Sequence, residues 1–403
     1  MIKMLSAFGL AALTGIASAQ NAAPAPFTIG IVTDLSSMYS AVTGKGSIEA
    51  AKMAIEDFGG KVLGRPVDIV TADHQNKPDV AGAVAKKWLE EGTVQALAEG
   101  TGSATTAAML AAAKAKNRVM LITGAGSPIF TNEQCSDSGV HFGYDTNALA
   151  RTIVGPLIKQ GLDTWYFVTV DYAGGHALQS SISPLVQKLG GKVVGSVLHP
   201  FQATDFSSYL LQAQASKAKV IVAANAGGDT INTMKQAAEF QIGQDGKQVM
   251  ATSLLYLADI RGMGLPIAQK LYAGAPFYWD MNDATRAFTK RFQQRTGFVP
   301  EMTHAATYTG VLHYLKAVQA TGSVEARTVT QKMKELPVND FWNSNVQVRA
   351  DGRVLHNFYL VQVKSPAESK SQFDLLKILS EVRGEDAFPA MADGKCAAAK
   401  EGK

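Results

Sequence analysis

From residue 27 onward, short β-branched apolar runs alternate with longer segments of helical period, and the series runs twice. Strands that alternate with helices of about 10–15 residues commit a chain to βαβ units and parallel sheets. The first series predicts strands over 27–36, 65–72, 94–98 and 118–123. Ile48, Ala51, Ile55 and Phe58 step by three, four and three and mark the first helix, which Gly59-Gly60 ends. Pro78-Asp79 opens the next helix, with Val80, Val84 and Trp88 on one face, and an alanine-rich helix covers 104–116. The second series predicts strands over 164–170, 192–199, 219–224, 247–254 and 270–279, with helices over 176–189, 205–215 and 229–240. The pattern gives two doubly wound α/β halves, 27–144 and 145–276. Helices follow over 284–295, 303–320 and 328–336. Segments 345–350 and 353–363 flank Asp351-Gly352, a hairpin signal.

The chain has 403 residues, 46% hydrophobic and 18% charged, a globular balance. Its formal charge of +4, without long one-sign runs, gives no case for nucleic acid or an acidic membrane surface. Residues 1–19 read as a signal peptide: Lys3, an apolar run of about 13 residues, then Ala17-Ser18-Ala19 as a cleavage pattern. That run is too short to span a bilayer comfortably. Export places the two cysteines, Cys135 and Cys396, in an oxidising compartment. A disulfide is then the expected state, tying the tail to the middle of the chain, with two free thiols the alternative.

Enzymatic signatures are missing. There is no G-x-S-x-G, no phosphate-binding G-x-x-x-x-G-K-[ST], and no third glycine after Gly124-Ala125-Gly126 for a dinucleotide fold. The histidines make no H-E-x-x-H, and two cysteines cannot form a zinc-cysteine cluster. The reading is therefore a non-enzyme with no metal and no cofactor.

A binding signal remains. Strand 94–98 runs into GTGSATTAAM, where Gly100 and Gly102 permit a tight turn. Ser103 is an expected N-cap, and a helix N-terminus suits an anion such as a carboxylate. The next strand ends in ITGAGSP, whose small residues Gly124, Ala125, Gly126 and Ser127 leave backbone groups open. Open α/β sheets bind ligands at this carboxyl edge. The second half repeats the theme in VTVDYAGGH and AANAGGDT. Asp171, Tyr172, Asn225 and Asp229 are its polar candidates, with helix capping the other reading of Asp229. Tyr39, after the first strand, and Tyr278 beside Trp279 are candidates to stack on a ligand.

These segments together resemble the type I periplasmic solute-binding proteins of ATP-driven (ABC) importers, in the leucine/isoleucine/valine-binding branch. The resemblance rests on FTIGIVTDLSSMYS, GSIEAAKMAIEDFGGKVLGRPVDIVTADHQNKPDVA, GTGSATTAAML with RVMLITGAGSP, DYAGGHAL and TDFSSYLLQAQASKAKVIVAANAGGDT. It implies two lobes, 27–144 plus 277–355 and 145–276 plus 356–403, joined by a three-strand hinge near 143–146, 275–280 and 353–357. It also implies a periplasmic monomer that clamps a small ligand and delivers it to a membrane permease. A ligand-sensing domain for a signalling partner is the alternative. The resemblance assigns the ligand's carboxylate to Ser103, Ala125, Gly126 and Ser127. Amino-acid binders carry a tyrosine where this chain has Gly227-Gly228, and a glutamate in the segment matching 253–256, which here holds no acid. A bound ammonium without a carboxylate partner is costly, so the expectation is an aromatic carboxylate in place of a branched-chain amino acid.

Overall fold

A computed structural model describes residues 24–243 and 246–396; the leader read at 1–19 lies outside them. The first series builds β1 (Phe27–Thr33), α1 (Gly44–Phe58), the short β2 (Lys61–Val62), β3 (Arg65–Asp73), α2 (Pro78–Glu90), β4 (Ala96–Glu99), α3 (Ser103–Ala115), β5 (Val119–Ile122) and β6 (Gly139–His141). They form a sheet ordered β2-β3-β1-β4-β5-β6, parallel except at the β2–β3 edge. The second series builds α4 (Thr146–Lys159), β7 (Thr164–Val170), α5 (Ala173–Lys188), β8 (Lys192–His199), α6 (Ser207–Ala215), β9 (Val220–Ala224), α7 (Gly228–Glu239), β10 (Val249–Thr252), α8 (Leu257–Met263), α9 (Leu265–Ala268) and β11 (Tyr272–Ala275). Then α10 (Asp283–Thr296), α11 (Met302–Thr321) and α12 (Ala326–Glu335) return to the first sheet, α11 lying along α1. Last, β12 (Phe358–Val363) and β13 (Leu376–Val382) complete a second sheet, β13-β12-β11-β10-β9-β7-β8. The two-lobed α/β fold is as the sequence implies, with antiparallel strands at one edge of each sheet.

Each sheet carries helices on both faces, so its central strands are buried throughout, as in Val220–Ala224. Along β1, Phe27, Ile29 and Ile31 join the core under α1 and α11, while Val32 joins the core under α2 and α3. Gly30 is small for a reason: a Cβ there would lie 2.9 Å from the Trp88 ring. Under the second sheet, α4 and α5 cover one face and α6, α7 and α8 the other.

Some segments depart from expectation. The turn at Asp351-Gly352 exists, with Gly352 at φ 85° and its amide donating to the Arg349 carbonyl at 2.8 Å. The expected hairpin runs from it but is short: the Arg349 amide donates to the Arg353 carbonyl at 2.7 Å and the Leu355 amide to the Gln347 carbonyl at 3.0 Å, around the antiparallel Val348–Val354 bridge. Val346 then pairs with Val338, while β12 leaves the hairpin to join β11 and β13. The strands expected over 247–254 and 270–279 shorten to β10 and β11. Helix α4 and strands β6 and β13 were not expected; α4 holds Gly155 and Pro156, which read locally as breakers.

The chain passes between the lobes after β6, after β11 and before β12. Arg353, fully buried, ties two of these passages together. Its guanidinium donates to the Gly143 carbonyl at 2.6 Å and to Asp145 at 3.1 Å, and stacks over Phe388 at 4.5 Å. Asp145 also caps α4, accepting from the Ala148 amide at 2.8 Å. Cys135 and Cys396 form a disulfide, which brings the tail beyond β13 back to the first lobe. Removing the cation should leave Asp145 buried and unpaired. We expect Arg353→Met to lose about 3–5 kcal/mol in urea unfolding; an unchanged midpoint would show that the crossings do not depend on this contact.

Candidate functional site

At the carboxyl edge of the first sheet, β4 and β5 are neighbours in parallel register, Glu99 opposite Ile122, so their following loops meet. The first loop is unusual. Glu99, Gly100 and Thr101 have φ of 83°, 92° and 54°, all left-handed, although two of them carry side chains. A buried network holds them: the Glu99 carboxylate accepts from the Thr101 amide at 3.0 Å and the Thr101 hydroxyl at 2.8 Å, and the Thr101 hydroxyl lies 3.2 Å from that of Thr43. The second loop fits against the first only because Gly124 lacks a side chain. A Cβ there would fall 2.0 Å from a Glu99 oxygen and 2.9 Å from the Thr101 Cα.

Ser103 is the first residue of α3; Gly102 occupies the N-cap, which corrects the expectation that Ser103 caps. The first amides of α3 have no intrahelical acceptor and, with the helix dipole, favour an anion. Ala125 is buried, its carbonyl accepting from His141 Nε2 at 2.8 Å. Since Arg353 donates to His141 Nδ1, the imidazole is neutral with its proton on Nε2, and burial beside Arg353 holds its pKa well down. Gly126 sits under the Tyr144 ring, where a Cβ would lie 2.4 Å from a ring carbon. Ser127 is half-buried and caps the helical turn Pro128–Thr131.

Tyrosines meet this edge. Asp34 fixes the loop after β1, accepting from the amides of Ser37 at 2.7 Å and Tyr39 at 3.0 Å. Tyr39, from the first lobe, interacts electrostatically with Tyr172, which stands at the N-cap of α5 in the second. Tyr172 rests edge-on against Phe201 at 5.3 Å. Met38 approaches Gly227, its terminal carbon 3.6 Å from where a Cβ would stand. Tyr144 and Tyr256 join hydroxyls at 2.8 Å, and burial pushes Tyr144 up to about 12. Sequence reasoning missed both rings, since nothing local separates them from core aromatics.

Three predicted residues do other work. Asn225 spends its amide inside the second lobe, donating to His199 at 3.0 Å and Thr233 at 3.1 Å and accepting from Thr230 at 2.9 Å. Asp229 lies inside α7, behind an N-cap at Gly227, and accepts from the Gln202 amide at 3.2 Å. The Tyr278 hydroxyl accepts from the Leu375 amide at 3.0 Å, anchoring the approach to β13. Each satisfies polar groups of its own surroundings, while Asp229 also acts electrostatically on Tyr172.

Two carboxyls outside the predicted set complete the surroundings. Asp259, one turn into α8, accepts from the Tyr256 amide at 3.0 Å and acts electrostatically on Tyr39, Tyr144 and Tyr256. Glu301, just before α11, accepts from the Leu257 amide at 3.1 Å and the Ala258 amide at 2.9 Å. Beside Glu301 a cavity of about 370 Å³ opens, lined by Lys45 and Ser40 of the first lobe and Arg261 and Phe373 of the second.

Burial raises Glu99 to about 7, Asp259 to about 6 and Glu301 to about 8. In the unfolded chain these groups ionise near pH 4.3. Folding therefore retains protons, and the stability so contributed is complete below pH 4 and is lost as pH rises through 6–8. The thermal midpoint should fall between pH 5 and 8, and Glu99→Gln should flatten part of that slope in calorimetry; identical slopes would exclude Glu99. Separately, Gly124→Ala should cost about 1–3 kcal/mol by overpacking against Glu99, read as a lower denaturation midpoint.

A family model of periplasmic binding proteins matches residues 26–371. None of the curated proteins matches the sequence. Among solved structures, a periplasmic binding protein from Burkholderia mallei superposes with a TM-score of 0.86 at 42% identity, over 93% of this chain and 99% of that one. A branched chain amino acid ABC transporter periplasmic ligand-binding protein from Burkholderia xenovorans gives 0.88 at 36% identity, over 93% and 100%. A solute binding protein of an ABC transporter from R. palustris, in complex with 4-hydroxybenzoate, gives 0.78 at 19% identity, over 89% and 97%, a likeness of fold. The chain belongs to the periplasmic binding protein family.

Proposed function

We propose that this periplasmic binding protein captures a small carboxylate between its lobes by hinge closure and delivers it to the membrane permease of an ABC importer. The observation that carries the reading is the backbone edge at Ser103 and Ala125–Ser127, with Tyr144 over Gly126 and Tyr256 of the second lobe joined to Tyr144 by its hydroxyl. Amides at a helix start bind a carboxylate without a cationic side chain, and two lobes joined by a hinge can open to admit it.

For the rest of the ligand we favour an aromatic ring. Tyr39, Tyr144, Tyr172 and Tyr256 offer faces and edges suited to one. A Cβ at Gly227 would have only the Met38 tip within 4 Å, and one at Gly228 would have nothing, so side chains there claim little space.

A second reading, an α-amino acid, is favoured by Asp259. Segment 253–256 has no acid, but this carboxyl stands just beyond it, and burial holds it up near 6. An ammonium beside it would supply an opposite charge. The relative at 36% identity is named for branched chain amino acids, which points the same way.

Calorimetric titration with benzoate, 4-hydroxybenzoate and L-leucine decides between them. We expect an aromatic acid to bind and leucine not to; tight leucine binding with neither aromatic acid would reverse the assignment. Ser103→Ala should weaken the bound acid about tenfold, the worth of one hydrogen bond to a charged group. Unchanged affinity would take that hydroxyl out of the site.

A further inference from the structure

We propose that Glu301 is the clasp of the closed state: a carboxyl group held rigidly on the first lobe that receives the first amides of helix α8 on the second. The inference rests on the closure mechanism above and names the contact that sustains it.

The first-lobe side is rigid. The Glu301 amide donates to His304 Nδ1 at 3.0 Å, and His304 Nε2 is 3.0 Å from the Thr43 carbonyl at the start of α1. A Cβ at Gly46 would fall 2.3 Å from that imidazole, so α1 packs directly on it. Burial keeps His304 neutral, its pKa lowered to about 3, which suits one nitrogen accepting and the other donating. Val299, two residues before Glu301, joins the core of the second lobe together with Leu257 and Phe373. The loop before α11 therefore projects from one lobe into the other.

On the far side the start of α8 presents three amides. Asp259, of the same lobe, satisfies that of Tyr256 at the N-cap. The next two, Leu257 and Ala258, reach no carbonyl within their own helix and go to Glu301. A carboxyl at a helix N-terminus supplies the acceptors that these amides lack within the helix. If the lobes part, these two amides turn to water and Glu301 loses its partners.

The charges around Glu301 give the clasp a pH dependence. Asp259 on α8 raises its pKa and Arg261 on α8 lowers it; Lys45 of α1 lines the adjoining cavity, and His304 of α11 stays neutral. Burial outweighs these and lifts Glu301 to about 8. Once open to water, the carboxyl returns toward 4.3. Closure thus takes up a proton between those values and strengthens as pH falls from 8.

Amide hydrogen exchange over residues 254–262 of the full mature chain tests this, with benzoate, 4-hydroxybenzoate or L-leucine at saturating concentration and with none. Glu301→Ala should exchange at least tenfold faster there than wild type, while exchange over the β4 and β5 strands stays unchanged and reports an intact fold. Glu301→Gln, which keeps one accepting oxygen and cannot ionise, should recover part of the protection. Wild-type protection, corrected for intrinsic rates, should be several-fold greater at pH 6 than at pH 8, and the glutamine variant should lose that difference. Wild-type amides that exchange as fast as those of the alanine variant in all four conditions overturn the clasp. Equal pH profiles for wild type and Glu301→Gln overturn its proton coupling. If none of the three acids binds, the ligand assignment fails, while the exchange contrast still decides the clasp.

Discussion

The buried guanidinium of Arg353 is the contact on which the arrangement of the lobes depends. A charge with no exposed surface persists only if it is paired and hydrogen-bonded, and here both terminal nitrogens of the guanidinium donate to Gly143, His141 and Asp145 of one crossing while Arg353 begins another. From this centre, bonds run outward in two directions. Asp145 passes the constraint to α4 by capping it, fixing where the second lobe starts. His141, forced into one tautomer, donates to the Ala125 carbonyl and so orients the loop that would hold a carboxylate. The hinge and the proposed ligand-binding edge share one hydrogen-bonded chain.

The two lobes bring different chemistry to their meeting place. The first supplies backbone: amides after β4 and β5, shaped by left-handed residues that a buried Glu99–Thr101 network keeps in place. The second supplies the rings of Tyr172 and Tyr256 and the carboxyl of Asp259. In the proposed function, this division would let a common group be recognised by main chain while the variable remainder of a ligand met side chains. It also places three carboxyls where burial holds their pKa high.

Much of this was legible in the sequence, and what was not has physical causes. Short apolar runs between segments of period 3.6 marked most elements because both faces of each sheet are covered, leaving whole strands apolar. The loops GTGS and TGAGSP stood out because glycines mark close backbone approach, and Gly124 against Glu99 is such a place. Direction was hidden. Asn225, Asp229 and Tyr278 lie at strand or helix ends like true site residues, yet their polar atoms turn inward to neighbours distant in sequence. Arg353 beside Asp351-Gly352 read as part of a hairpin, because only the folded hinge shows that it joins His141 from 212 residues away. Tyr144, Tyr256 and Glu301 matter through partners on the other lobe, which no local window contains.

The Cys135–Cys396 bond has a topological consequence. Residues 135 and 396 bracket the whole second lobe, so their bond turns the intervening chain into a covalent ring that begins and ends on the first lobe. A protease that cuts any one of the three crossings would therefore leave the halves joined through the other two and the sulfur bridge. In an extracytoplasmic compartment, such a ring gives the hinge a redundancy that three open crossings lack.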